Sequence, residues 1–137
     1  MNALFSCGPD PLEDHPRYIP LTEIIFTSLE KGMNKGITSY LTLLEILTRP
    51  KTKGALQAAR DYEYYLTTFP NLTFFDMGLD VARKASDLRA AVRIKAPDAI
   101  QIATAIVHGA TAFLTNDRIF EKVKEIDVLI LDKFIKS

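Results

Sequence analysis

The sequence predicts an α/β protein, a three-layer α/β/α sandwich on a mainly parallel sheet. Three observations lead there. Short apolar runs alternate with longer stretches of helical period along the chain. The runs at 72–75, 111–114 and 128–131 show little polar alternation, as strands covered on both faces require. Helical stretches separate successive strands, and such crossovers favour parallel pairing.

Each element follows from local pattern. Residues 1–17 contain Gly8, Pro9, Pro11 and Pro16 and read as a loop, with Met1 to Phe5 the remnant of something ordered. Leu21, Ile24, Ile25, Phe26 and Leu29 give a helical period over 18–31 that Gly32 ends. Lys35 to Thr38 form a short strand. Ser39 is a good N-cap for a helix over 40–48, which Pro50 stops. A helix over 53–68 presents Tyr62, Tyr65, Leu66 and Phe69 as its apolar face. Then come a strand at 72–75, a helix at 78–92, a helix at 97–108 and a strand at 111–114. A short helix near 117–124 leads to the last strand, Val128 to Leu131.

Bulk properties narrow the function classes. A chain of 137 residues fits one domain over 1–137, able to bury roughly two thirds of its unfolded surface. Seventeen basic and 17 acidic residues cancel, so any polyanion must be met by a local basic patch or through metal ions. Cys7 is the only cysteine, which excludes an internal disulfide. Pro9, Asp10 and Pro11 interrupt any signal-peptide core, and no run approaches the roughly 18 apolar residues of a membrane span. A cytoplasmic location is expected.

The most informative stretch runs from Ile94 to Asp117. Pro97 stands in the first turn of a helix and Gly109 just past its end. The residues between are apolar on nearly all sides, so the helix is expected to be buried. Asp98 sits at its start, and Asp117 follows the next strand. Each has a plain explanation. An acid in a first turn gains roughly 0.3–1 kcal/mol from the helix dipole, and Asp117 or Asn116 suits an N-cap. Glu45 shares a polar stripe with Thr42 and Arg49, either a solvated face or an acid aimed into a cleft. Together, three acids at strand–helix junctions are expected to converge on one site at the carboxyl ends of the strands, where open α/β sheets place their chemistry. Carboxylates without His or Cys partners suit Mg²⁺ or Mn²⁺ rather than zinc.

The remaining polar residues carry less. Arg89 and Arg93, four apart on one helix face, are either solvated surface or a cationic rim for phosphates. His15 and His108 have no metal-ligand spacing. The set Tyr62, Tyr64 and Tyr65 reads as packing or an oligomer contact. No Gly-rich phosphate loop, G-x-S-x-G or H-E-x-x-H occurs. A generic doubly wound phosphotransfer or signalling domain would need its acids on the first strand and a Lys near the last, and the acids lie elsewhere.

The order Thr38-Ser39-x-x-Thr42-x-x-Glu45, Pro97-Asp98-Ala99-x-x-x-Ala103-Thr104-Ala105 and Leu114-Thr115-Asn116-Asp117 resembles the PIN domain. It is most similar to the single-domain, VapC-type toxins of toxin–antitoxin pairs, over almost the whole chain. The resemblance implies an α/β/α fold and a metal-dependent ribonuclease. Glu45, Asp98 and Asp117 match the acids that bind Mg²⁺ or Mn²⁺ and carry catalysis. Ser39, Thr115 and Asn116 match supporting positions. RNA, a small antitoxin protein and a second copy of the chain are the implied partners. The alternative is a catalytically inactive PIN-like module that binds RNA or protein.

One departure stands at the front. PIN domains open with an apolar strand ending in Asp-Thr-Asn. Here Met1-Asn2-Ala3-Leu4-Phe5 resembles the tail of that motif, with Met1 at the Thr position. This reading puts the strand and its Asp upstream of residue 1, with neither Asp10 nor Asp14 a substitute. Three expectations follow: an impaired metal site, a sheet lacking its central strand, and a strained or swapped oligomer. A late start site, a trimmed chain or a true pseudoenzyme would each account for the departure.

Overall fold

The computed structural model describes residues 2–5 and 19–134. The loop reading of residues 6–17, with Cys7, Asp10, Asp14 and His15, lies outside the described residues. In chain order the elements are β1 (Asn2–Phe5), α1 (Ile19–Glu30), β2 (Lys35–Ser39), α2 (Tyr40–Thr52), α3 (Leu56–Thr67) and β3 (Leu72–Phe75). They continue with α4 (Leu79–Val92), α5 (Ala96–Val107), β4 (Ala112–Thr115) and β5 (Asp127–Ile130). Two 3₁₀ turns, Arg118–Lys122 and Leu131–Phe134, flank β5.

The five strands form one parallel sheet in the order β3-β2-β1-β4-β5. The opening run is therefore not a stray remnant. Asn2–Phe5 is the middle strand, with Ala3 aligned on Gly36 at one side and on Ala112 at the other. The expectation of a sheet without its centre, with open edges on β2 and β4 driving a swapped oligomer, is corrected accordingly. Four residues satisfy both neighbours because those strands are themselves only five and four residues long.

This order has a switch point beside β1. The chain leaves β1 toward β2 and β3, then returns to β4 and β5 on the other side. Crossovers of the usual right hand place α1 and α3 on one face and α4 and α5 on the other. α5 covers the sheet's centre, and Ala99, Ile102, Ala103 and Ala105 are withdrawn from solvent against Phe113, Ile37 and Phe120. On the other face Phe26 of α1 meets Phe69 edge-on at 4.9 Å and Tyr65 at 6.4 Å. That packing bears out the structural reading of Tyr65.

Several boundaries differ from the sequence reading. α2 passes through Pro50 to Thr52. Pro50 lies in the last turn, where the break that it favours coincides with the end of the helix. Its carbonyl accepts from Ala55 N at 2.8 Å, and Gly54, at φ +75°, turns the chain into α3. α3 consequently begins at Leu56 rather than near residue 53. The helix expected at 117–124 is only a 3₁₀ turn.

Gly36 marks a close approach. A β-carbon there would stand 2.8 Å from Leu72 Cδ1 and 3.3 Å from both methyls of the buried Leu29. Gly36→Val is expected to destabilise the fold by about 1–3 kcal/mol, read as a lower midpoint in urea denaturation.

Candidate active site

The carboxyl ends of β2 and β4 each finish in a buried hydroxyl residue, Ser39 and Thr115. Both serve local structure. Ser39 Oγ accepts from Leu41 N at 3.0 Å and caps α2. Thr115 Oγ1 accepts from Asp117 N at 3.1 Å and shapes the turn after β4. Asp117 Oδ1 in turn accepts from Ile119 N at 3.0 Å, capping the 3₁₀ turn. Asn116 Oδ1 accepts from Asp132 N at 3.2 Å, which ties the end of β4 to the turn beyond β5. The capping roles that residue type suggests are thus real, and they fix where the acids stand.

Asp98 occupies the first turn of α5, with Pro97 just before it. Burial pushes its carboxyl above the ordinary carboxylate value, and repulsion from Asp117 adds to this while Lys95 opposes it. Glu45 on α2 is also raised. Burial is the main cause, a hydrogen bond from Gln101 opposes it, and repulsion from Asp98 adds to it. Asp98 is thus the acid common to both effects: it is raised by Asp117 and itself raises Glu45. A carboxylate pushed up at the N-terminus of a helix is informative, because the dipole there acts in the opposite direction.

The polar stripe on α2 turns toward α5 at Thr42, while Glu45 and Arg49 further along stay exposed. Thr42 is buried, whereas Leu44 beside it is 60% exposed. A directional chain of hydrogen bonds explains the choice. Thr38 Oγ1 donates to Thr42 Oγ1 at 2.9 Å, and Thr42 Oγ1 donates to Gln101 Oε1 at 3.0 Å. Gln101 Nε2 then donates to Glu45 Oε1 at 3.3 Å. Gln101 is buried on an otherwise apolar helix and lies one turn beyond Asp98. The sequence reading passed over it. An amide inside an apolar helical run must find partners, and that was the available signal.

His108 and the two arginines lie outside this hydrogen-bonded chain. His108 stacks on Phe75 with ring centres 3.6 Å apart and belongs to packing. Arg89 lies in the last turn of α4, but Arg93 does not continue its face. It caps the helix in the left-handed region at φ 54° and ψ 52°. The two nevertheless line one surface pocket with Lys95.

The donors around Asp98 are all carboxylate oxygens, which fits a hard divalent cation better than a soft one. Their mutual repulsion is the cost that such a cation removes. Among the described residues, however, no three of His, Cys, Asp and Glu are gathered into a compact ligand group. Also among the described residues, no helix is long and apolar enough to cross a membrane.

Comparison with known proteins agrees with this architecture. Residues 11–126 match the PIN domain. Among solved structures, a chain of VapBC2 from Rickettsia felis bound to a DNA fragment from its promoter superposes with a TM-score of 0.70 at 16% identity, covering 95% of this chain and 98% of that one. A chain of DNA-bound VapBC from Salmonella typhimurium gives 0.69 at 14% identity, over 96% and 98%. A toxin–antitoxin complex from Klebsiella pneumoniae gives 0.60 at 23% identity, over 94% and 97%. No curated protein sequence matches.

Gln101→Leu would remove the acceptor of Thr42 and the donor to Glu45 at nearly constant volume. The expected result is a loss of about 1–3 kcal/mol in unfolding free energy. The titration midpoint of Glu45, followed by carboxyl-carbon NMR, should move upward, because the bond that opposes its rise is gone.

Proposed function

The chain belongs to the PIN domain family, and on that premise we propose that it hydrolyses RNA phosphodiester bonds in a reaction dependent on Mg²⁺ or Mn²⁺. The carrying observation is that Asp98 is disturbed by the charge of Asp117 and Glu45 by that of Asp98, on elements that start at the carboxyl edge of the sheet. Carboxylates that repel one another also repel an RNA phosphate. A divalent cation between them reverses the sign of that field.

In this reading Glu45, Asp98 and Asp117 hold the ion. When bound, the ion supplies Lewis-acid polarisation of the phosphoryl group and a water of lowered pKa. Gln101 orients Glu45 through its amide. Thr115 and the capped Asp117 backbone set the position of the third acid, and Ser39 fixes the start of the helix that carries Glu45. Asn116 holds the loop behind them. Lys95 tempers the charge of Asp98 from one side.

The structural neighbours come from toxin–antitoxin complexes, which supports a toxin role with a small antitoxin protein as partner. A second copy of the chain and a cytoplasmic setting complete the proposal. One observation favours a competing reading, a catalytically inactive PIN-like module that binds RNA or protein. It is the lack of a compact ligand group among the described residues.

The raised acids give the test a sign. A folded-state carboxyl above its unfolded value takes up protons between the two values as pH falls, so stability is gained there and lost as pH rises through the window. At neutral pH the metal-free protein therefore carries the full repulsion. Asp98→Asn is expected to raise the Tm of chelator-treated protein by about 1–2 °C and to abolish its further rise on adding Mg²⁺ or Mn²⁺. Metal-dependent cleavage of RNA should fall at least about 100-fold. Wild-type protein that binds RNA or an antitoxin but never cleaves under either metal would select the inactive module.

A further inference from the structure

The bend between α4 and α5 holds a feature that the acidic site does not use. Arg89, Ala90, Arg93, Ile94 and Lys95 line a surface pocket of about 470 Å³. Three of the five are cations and none is an acid. Arg89 is fixed by donating from Nε to Ile94 O at 3.2 Å, which leaves its remaining guanidinium N–H groups for another acceptor. No carboxylate forms an ion pair with Arg89, Arg93 or Lys95 among the described residues. Lys95 links the pocket to the acids, because it is the N-cap of α5, whose first turn carries Asp98.

Arg93 carries the decisive oddity. It ends α4 at φ 54° and ψ 52°, a left-handed position where a β-carbon is unfavourable and glycine is the usual occupant. The helix would be capped better without a side chain at this position. An arginine kept there at a cost to the fold points to a use for its charge.

We infer that the α4–α5 elbow is a phosphate subsite, in which Arg89, Arg93 and Lys95 hold a backbone phosphodiester of RNA beside the bond presented to the acids. The inference rests on the nuclease reading for its substrate. It adds residues that position RNA without touching the reacting atoms. Guanidinium groups suit this task through their planar, bidentate geometry, and Lys95 supplies a point charge on the side facing Asp98.

The test uses Arg93→Gly and Arg93→Lys in an Asp98→Asn background, so that binding is read without turnover. The probe is a single-stranded RNA oligonucleotide with a 5′-hydroxyl end. Arg93→Gly should raise the Tm by about 2–4 °C, weaken RNA binding roughly 10-fold near 0.1 M salt, and reduce the slope of log K against log salt by about 0.7, the value for one phosphate contact on a single strand. Arg93→Lys should keep that slope. Unchanged binding and slope in Arg93→Gly would overturn the subsite. So would weaker binding with an unaltered slope, a fall in Tm, or an effect confined to RNA bearing a 5′-terminal phosphate. Loss of binding to an acidic polypeptide with RNA binding intact would assign the pocket to a protein partner instead. The two proposals fail separately. Wild-type protein that never cleaves, with the slope change present, removes the nuclease reading alone. Cleavage with the same KM in Arg93→Gly removes the subsite alone.

Discussion

The burial of α5 against the centre of the sheet is the constraint from which the rest of the arrangement follows. Small side chains at Ala99, Ala103 and Ala105 let the helix backbone approach β1, β2 and β4, while Ile102 fills the space between them and Phe113. Once that contact is fixed, the first turn of α5 must emerge at the carboxyl edge of the strands. Asp98 is delivered there by packing, whatever its chemistry. The same contact brings Gln101 under α2, where it can be satisfied only by Thr42 and Glu45. A hydrophobic interface thus dictates the positions of two of the acids, and a hydrogen-bonded turn dictates the third.

Much of the architecture was legible because buried parallel strands and their helices leave strong patterns. The runs at Leu72–Phe75 and Ala112–Thr115, and the helix beginning beside Pro97, could be placed within a residue or so. The opening strand was not. Asn2–Phe5 is short and sits before proline-rich sequence, so nothing local distinguishes it from a frayed end. Its role depends on two partners distant in the chain. Pro50 misled for a related reason. A proline strains the turn before it and need not end the helix at once, and α2 closes within two residues of it.

The acids were visible as an ordered set, but their setting was not. Periodicity could not tell that Glu45, exposed as it is, has a partner on the next helix. The answer lay in Gln101, which looked unremarkable within an apolar run. Likewise, spacing put Arg89 and Arg93 on a common helical face, whereas the chain reverses its hand at Arg93. They meet in one pocket through the bend itself. Both cases share a cause: polar residues inside or just beyond a helix are placed by tertiary partners, and those partners are not written in the local sequence.

The central position of β1 also bears on how the molecule assembles. Its first neighbour, β2, is made soon afterwards, but its second, β4, lies near the opposite end of the chain. A sheet whose middle strand is synthesised first and completed nearly last has high contact order, which slows folding. During synthesis on a ribosome, the half built from β1 to β3 would wait with one side of β1 unpaired until β4 emerged. The same late step would bring Asp117 toward Asp98, so the acids would come together only as the sheet closed.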